Sequence, residues 1–307
     1  RAANIARQRA DEVARTLPRE EGKILKEAKG EVLKGISLLE YYAGEGFRMH
    51  GKTLPSEARD TFAYTIRRPL GVVGLIAPWN FPWAIPVWKS APALVAGNTV
   101  IFKPAELPPA TASLMAEIYQ EAGLPPGVFN MVVGPGSAAG EAIVNSPVIR
   151  AVSFTGSNEV GSALYVKAAA RGAKVTCEMG GKNAVIVMAD ADLDKAAVAI
   201  HGGAFGSTGQ RCTATSRVIA MPSVKDGLLE RLVDLARKIR IGPGLDESVD
   251  MGPAVDEKQW KTDLDYIQLG QREGARLVLG GKRPEHLGKG YFVEPTIFDN
   301  VSPSMRI

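Results

Sequence analysis

The chain opens with apolar residues three and four positions apart, separated by charges. This pattern runs through IARQRADEVARTL and EEGKILKEAKGEVLKGISLLEYYAGEGF, and it predicts helices over most of residues 1–50. A polar stretch over 51–60 follows. The alternating run TFAYTIRRP after it predicts a strand.

From Gly71 onward, short apolar runs alternate with helical segments. Helices are predicted over 110–123, 158–170 and 191–205. Strands are predicted over 72–77, 98–103, 128–133, 151–154, 174–179 and 184–188. This alternation is typical of a parallel α/β sheet with helices on its faces. The Gly-Gly pair near residues 180–182 interrupts the pattern and predicts a boundary between two domains.

Composition narrows the class of protein. A length of 307 residues with 45% hydrophobic and 23% charged residues is typical of a globular chain of about two domains. A formal charge of only +4, without runs of Lys or Arg, argues against nucleic acid as a partner. No apolar stretch approaches the ~18 residues of a membrane span. Two cysteines form neither a disulfide framework nor a metal cluster, so a reducing cytoplasmic setting is predicted, with no metal.

Two glycine-rich segments each follow a predicted strand and open a helix. A phosphate could meet free backbone N–H groups at such a junction. The spacing of GPGSAAG (134–140) is one residue longer than the usual dinucleotide fingerprint, so a plain turn is an equal alternative. FTGSNEVG (154–161) lacks the Lys-Ser/Thr pair of nucleoside triphosphatases, and a helix capped by Ser157 is its alternative.

The two cysteines stand in different settings. Cys177 lies in the strand-like run KVTCEM, where a small buried thiol is the usual case. Cys212 lies in the Gly/Ser/Thr loop FGSTGQRCTATS, where reactive groups are often found, and Arg211 could help to hold a thiolate there. A structural role for Cys212 remains open on these grounds alone.

Two polar residues each have two possible interpretations. Glu178 follows an apparently buried strand. It is either a capping or ion-paired carboxylate or a general base with a raised pKa. Asn80 lies within the aromatic turn WNFPW, which is either a corner of the core or an amide donor facing a pocket.

Taken together and in order, these segments resemble the aldehyde dehydrogenase superfamily across nearly the whole chain. The resemblance rests on PWNFPW (78–83), IFKPAE (101–106), FTGSNEVG, EMGGKN (178–183) and FGSTGQRCTA (205–214). The Glu of EMGGKN precedes the Cys of GQRC by 34 residues. The segment FGSTGQRCTATSRVI further resembles the branch of the family that oxidises α-ketoglutarate semialdehyde, also called 2,5-dioxopentanoate.

The resemblance implies oxidation of an aldehyde to a carboxylate through a cysteine thioester. Cys212 would be the nucleophile. The Asn80 amide and the Cys212 backbone N–H would stabilise the oxyanion, and Glu178 would activate water. Arg211 is a candidate for binding a distal substrate carboxylate, with a solvated or paired role as its alternative. Trp83 is a candidate pocket wall or a core aromatic.

The resemblance also implies an NAD site. Ile76, Ala77, Pro78 and Trp79 would line the nicotinamide side. Lys103 and Glu106 would bind the adenosine ribose, where the Glu106 carboxylate would repel a 2′-phosphate and so favour NAD over NADP. The adenine and pyrophosphate wall would comprise Gly136, Gly140, Gly156, Ser157 and Gly161, with Met179 as a further contact.

By the same resemblance, residues 1–181 form the NAD-binding domain, with 51–69 as part of an oligomerisation flap. Residues 182–307 form the first part of the catalytic domain. The chain is expected to be shortened at both ends relative to the family, whose full-length members would be homo-oligomers, dimers or tetramers. Two alternatives remain: a CoA-acylating relative, against which Glu178 argues, and a nucleotide-binding chain without turnover.

Overall fold

The computed structural model describes residues 1–307 and divides them between two units. The first unit comprises Arg1–Thr16 and Lys29–Met179, and the second comprises Leu17–Ala28 and Gly180–Ile307. The division near Gly180 follows the end of a strand. Residues 17–28 join a part of the chain that is more than 150 positions away in sequence.

The chain begins with three helices and a short hairpin. These are α1 (Ala2–Gln8), α2 (Ala10–Glu21), α3 (Leu25–Glu45), β1 (Thr53–Leu54) and β2 (Ala63–Tyr64). Gly22, with a φ of 80°, adopts the left-handed conformation where α2 gives way to α3. The strand predicted from TFAYTIRRP is reduced to two residues, because its only sheet partner is the equally short β1.

The rest of the first unit is a parallel sheet with intervening helices. Its elements are β3 (Val72–Ile76), α4 (Ala84–Val95), β4 (Thr99–Lys103), α5 (Pro109–Glu121), β5 (Phe129–Met131), α6 (Glu141–Asn145), β6 (Ile149–Gly156), α7 (Asn158–Ala170) and β7 (Lys174–Met179). The strands are ordered β5-β4-β3-β6-β7, and every pairing is parallel. The predicted α/β class with a parallel sheet is confirmed.

The core of this unit lies around the central strands. Leu75 of β3, Val100 and Phe102 of β4 and Val152 of β6 are almost completely buried. Gly74 allows close packing on β3, because a Cβ there would lie 2.4 Å from a methyl carbon of Ile143. The apolar runs therefore form central strands, as expected when both sheet faces are covered.

The second unit contains two smaller sheets. A parallel pair is formed by β8 (Asn183–Val187) and β9 (Thr215–Ala220), with α8 (Leu193–Phe205) between them and α9 (Pro222–Ala236) after them. Val187, Ile200 and Leu228 belong to the buried cluster that joins these elements. After α10 (Glu257–Arg272), β10 (Arg276–Leu279) and β11 (Ile297–Asp299) pair antiparallel. None of the helices combines the length and apolar character needed to cross a membrane.

Candidate active site

The strand order of the first sheet reverses between β3 and β6. The chain passes from β3 to β4 and β5 on one side, and β6 and β7 lie on the other side. Ligands of open parallel sheets bind at the carboxyl ends of the strands where such a reversal occurs. Ile76 and Ala77, at the end of β3, are buried, and Pro78 and Trp79 follow in a half-buried turn. The four residues predicted to face nicotinamide thus stand at this reversal.

The residues predicted to bind ribose converge beside the next strand. Lys103 ends β4 with only 4% of its surface exposed, and its Nζ donates to the Pro104 carbonyl at 3.0 Å. Burial lowers the pKa of this ammonium, and the nearby Glu106 carboxylate opposes that shift. A Glu106 carboxylate oxygen accepts the Gly136 N–H at 3.1 Å. The helical turn Gly136–Gly140 is therefore linked to the ribose candidates.

The second glycine-rich segment lies where β6 passes into α7. The Ser157 hydroxyl caps α7 by accepting the Val160 N–H at 3.3 Å. A Cβ on Gly161 would lie 2.6 Å from the Met179 sulfur, so the absence of a side chain lets α7 approach β7. Gly156, Ser157, Gly161 and Met179 therefore lie at one end of the sheet.

This set of groups fits a dinucleotide. The start of a thirteen-residue helix at α7 offers backbone N–H groups and a positive dipole end to a phosphate. The Lys103 ammonium and the Glu106 carboxylate supply a donor and an acceptor for ribose hydroxyls. Gly136 is exposed, with open space where a Cβ would stand, so a ligand can approach its backbone.

The aromatic turn after β3 places its polar and apolar residues differently. Asn80 is half-buried. Trp83 is completely buried, its indole N–H donates to the Val32 carbonyl at 3.2 Å, and its backbone N–H donates to Glu31 at 2.9 Å. These contacts favour the core interpretation of Trp83 over the pocket wall.

Glu178 is exposed near the end of β7. The expectation that it follows a buried strand is wrong, because β7 is the edge strand of the sheet and its residues alternate between half-buried and exposed. The preceding Cys177 is half-buried, and burial raises the pKa of its thiol. Its position is therefore that of a packed strand residue.

Lys89 is a charged neighbour of Glu178 that the sequence analysis missed. Its Nζ donates to the Ser153 hydroxyl on β6 at 2.8 Å. Burial lowers the pKa of its ammonium to about 8, against the attraction of the Glu178 and Cys177 side chains. The available signal was a single charged residue, a lysine, within the largely apolar helix sequence AIPVWKSAPALV.

Cys212 carries an exposed thiol on the loop between α8 and β9. The Asn183 side chain, at the start of β8, donates to the carbonyls of Cys212 at 2.8 Å and of Ala214 at 3.2 Å. Asn183 thus fixes the backbone of the predicted nucleophile. It belongs to the EMGGKN segment, but the sequence alone did not indicate this contact.

The loop before Cys212 has an unusual backbone. Ser207 and Thr208 have φ values of 52° and 57°, in the left-handed region that non-glycine residues seldom adopt. Arg211 donates from Nη2 to Glu27 at 3.0 Å and from Nε to the Ser207 hydroxyl at 2.9 Å. This ion pair favours the paired interpretation of Arg211 over a role in binding a substrate carboxylate.

No cluster of three or more His, Cys, Asp or Glu side chains suited to a metal ion occurs among residues 1–307. The predicted catalytic residues are divided between the units, with Asn80 and Glu178 in the first and Cys212 in the second. Their side chains are a carboxamide, a carboxylate and a thiol.

Comparison with known proteins confirms the resemblance. The family model described as the aldehyde dehydrogenase family matches residues 1–307. Alpha-ketoglutaric semialdehyde dehydrogenase of Bacillus subtilis is 51% identical over 99% of this chain, and the match covers 63% of that protein. The chain thus spans less than two thirds of the length of this relative.

Solved structures agree in fold. An NADP-dependent enzyme of E. coli superposes with a TM-score of 0.96 and 39% identity, covering 99% of this chain and 63% of that one. An NAD-dependent aldehyde dehydrogenase from Sinorhizobium meliloti gives the same TM-score with 38% identity, covering 99% of this chain and 60% of that one. Enzymes named for either dinucleotide therefore share this fold.

Proposed function

Since the chain belongs to the aldehyde dehydrogenase family, we propose that it oxidises an aldehyde to the carboxylate through a thioester on Cys212. The observation that carries this proposal is the exposed Cys212 thiol on a loop whose backbone is fixed by side-chain hydrogen bonds. A nucleophile needs both access to substrate and a defined orientation.

The first half-reaction forms a carbon–sulfur bond. The Cys212 thiolate attacks the aldehyde carbon, and the carbonyl electron pair moves to oxygen. The Asn80 carboxamide and the Cys212 backbone N–H donate hydrogen bonds to this oxyanion, and removing one such donor typically costs ~10²–10³ in rate. The oxyanion then re-forms the carbonyl as the carbon–hydrogen bond breaks, and the hydride would pass to bound NAD, which leaves the acyl group on the Cys212 sulfur as a thioester.

The second half-reaction hydrolyses the thioester. Glu178 accepts a proton from water, the water oxygen attacks the acyl carbon, and the carbon–sulfur bond breaks to restore the thiolate. The Lys89 ammonium lies close enough to the Glu178 carboxylate for the two charges to attract each other. A CoA-acylating enzyme would need no base for water, so Glu178 favours hydrolysis over acyl transfer to a thiol.

For the cofactor we propose NAD, with NADP as the alternative. Glu106 supports this choice, because its carboxylate is anchored at the Gly136 N–H beside the ribose candidate Lys103. A 2′-phosphate there would meet a negative charge. Residues 1–181 would form the NAD-binding domain, and 182–307 the part that carries the nucleophile.

For the substrate we propose a dicarboxylate semialdehyde such as α-ketoglutarate semialdehyde. The name of the 51% identical Bacillus subtilis relative supports this class. We also propose a homo-oligomer that acts in the cytoplasm. The exposed apolar side chains of Leu54, Phe62 and Tyr64 on the β1–β2 hairpin support an oligomerisation flap, and two unpaired cysteines support a reducing compartment.

The test is NADH formation from α-ketoglutarate semialdehyde, with succinate semialdehyde and benzaldehyde as comparison substrates. Cys212→Ala should abolish turnover, and Cys177→Ala should retain it, because only the former removes the proposed nucleophile. Release of the free acid with CoA present would favour hydrolysis, and acyl-CoA would favour the acylating alternative. Dinucleotide binding by calorimetry without aldehyde-dependent NADH would instead indicate a chain that binds nucleotide without turnover.

A further inference from the structure

We propose that Glu27 is a positioning residue that holds the loop of Cys212 in its reactive conformation. This inference rests on the proposed role of Cys212. Glu27 lies near the start of α3, 180 residues before the loop that it contacts, and both belong to the second unit.

One carboxylate oxygen of Glu27 connects the two ends of the loop segment 207–211. It accepts the backbone N–H of Ser207 at 2.7 Å and Nη2 of Arg211 at 3.0 Å. Nε of Arg211 donates in turn to the Ser207 hydroxyl at 2.9 Å. Glu27, Arg211 and both the backbone N–H and the hydroxyl of Ser207 thus form a closed ring of hydrogen bonds just before Cys212.

This ring of hydrogen bonds lies at a loop whose backbone conformation is unfavourable by itself. Ser207 and Thr208 both have left-handed φ values, and this conformation persists only where surrounding contacts impose it. The hydrogen bond from the Ser207 N–H to Glu27 fixes the first of these residues directly. Glu27 is therefore placed to impose the turn that presents Cys212.

The rest of the loop is held by a different segment. The Thr208 hydroxyl donates to the Gly252 carbonyl at 3.2 Å, and the Gln210 carboxamide oxygen accepts the Val255 N–H at 3.0 Å. These contacts do not involve Glu27. Removing Glu27 should therefore loosen the segment around Ser207 and Arg211 without unfolding the unit.

The test compares Glu27→Ala with a matched control. Glu273 on the same unit also accepts a backbone N–H and an arginine Nε, both from Arg306, and its side chain has the same 20% exposure as Glu27. Glu273→Ala thus removes a carboxylate with the same kinds of hydrogen bonds at a position far along the chain from Cys212. Glu27→Gln keeps an oxygen that can accept the Ser207 N–H, but it removes the charge that pairs with Arg211.

Two readouts separate this inference from the proposed function. Hydrogen exchange of a peptide covering 206–212 measures the loop without any turnover, and it should quicken at least about tenfold in Glu27→Ala but not in Glu273→Ala. With aldehyde and NAD, kcat should fall by about 10- to 100-fold in Glu27→Ala while KM for NAD stays within about twofold. Glu27→Gln should recover part of both losses.

The inference is wrong if the 206–212 peptide exchanges at the same rate in Glu27→Ala as in the wild-type protein. It is also wrong if this peptide exchanges faster in Glu27→Ala but kcat stays at the wild-type value. Equal losses of kcat in Glu27→Ala and Glu273→Ala, matched by equal losses of thermal stability, would also overturn it by showing a general structural effect. If the wild-type protein forms no NADH, the proposed function fails, and the exchange data still decide whether Glu27 holds the loop.

Discussion

Replacing Lys89 by methionine should raise the stability of the protein near neutral pH. Burial in α4 lowers the pKa of the Lys89 ammonium from 10.5 to about 8. The unfolded chain therefore binds this proton more tightly than the native protein does. At about 1.4 kcal/mol per pH unit between the two values, the charged lysine costs about 3 kcal/mol of folding free energy below pH 8.

The sign of the pH dependence follows from the same values. The cost is complete below pH 8, where both states are protonated, and it fades as the pH rises from 8 to 10.5 because the native lysine loses its proton first. Methionine has no charge to bury and is of similar length. It forfeits the hydrogen bond to Ser153, worth about 1 kcal/mol, so the expected net gain at pH 7 is about 2 kcal/mol.

Urea denaturation of wild type and Lys89→Met, followed by tryptophan fluorescence at pH 7, 8.5 and 10, measures this difference. Groups shared by the two proteins cancel in the comparison. Lys238→Met, which replaces an exposed lysine after α9, is the control and should change little at any pH. A Lys89→Met variant that is less stable than wild type at pH 7, or an advantage that grows with pH, would refute the reasoning.

Three further predictions concern thiol reactivity, cofactor preference and glycine packing. Iodoacetamide at pH 7.5 should alkylate exposed Cys212 at least about tenfold faster than Cys177, whose thiol pKa is raised by burial, and equal rates on peptide mapping would contradict this. Glu106→Ser should raise the ratio of kcat/KM for NADP over NAD by about tenfold, or about 1.4 kcal/mol, because it removes a negative charge; an unchanged ratio would count against the ribose assignment. Gly74→Ala should destabilise by about 1–3 kcal/mol, since its Cβ would meet a side chain at 2.4 Å, whereas Gly30→Ala in exposed, open space on α3 should stabilise by about 0.5–1 kcal/mol. Thermal melts compare the two, and similar shifts would contradict the packing argument.

The parallel sheet could be predicted from sequence because its strands are apolar runs bounded by turns. The predicted strand at 72–77 is observed as Val72–Ile76, and the one at 98–103 as Thr99–Lys103. The cofactor candidates came from the resemblance to the aldehyde dehydrogenase family rather than from the local pattern. Three of them, Ile76, Lys103 and Gly156, end the strands β3, β4 and β6, and the carboxyl ends of parallel strands lie at one edge of the sheet.

Residues 17–28 show that a local pattern does not identify long-range partners. Their helical spacing predicts which face of the helix is apolar, but it does not identify the segment that covers this face. Contacts such as Glu27 to Ser207 join positions 180 residues apart, and a single sequence has no signal for such a pair. Lys89 could be predicted only in part. The sequence shows a lone charge in a largely apolar helix, but it does not show that this charge contacts Ser153.

The loop of Cys212 shows why a motif can identify a nucleophile without explaining its geometry. Two non-glycine residues in the left-handed conformation cost about 1–2 kcal/mol each. Four hydrogen bonds oppose this cost: Glu27 accepts from Ser207 and Arg211, Thr208 donates to a carbonyl, and Gln210 accepts a backbone N–H. At a net of about 1 kcal/mol each, they offset a strain of about 2–4 kcal/mol. The margin is small, so the orientation of Cys212 depends on each of these contacts. All four join the loop to segments far from the GQRC motif in sequence, at Glu27, Gly252 and Val255.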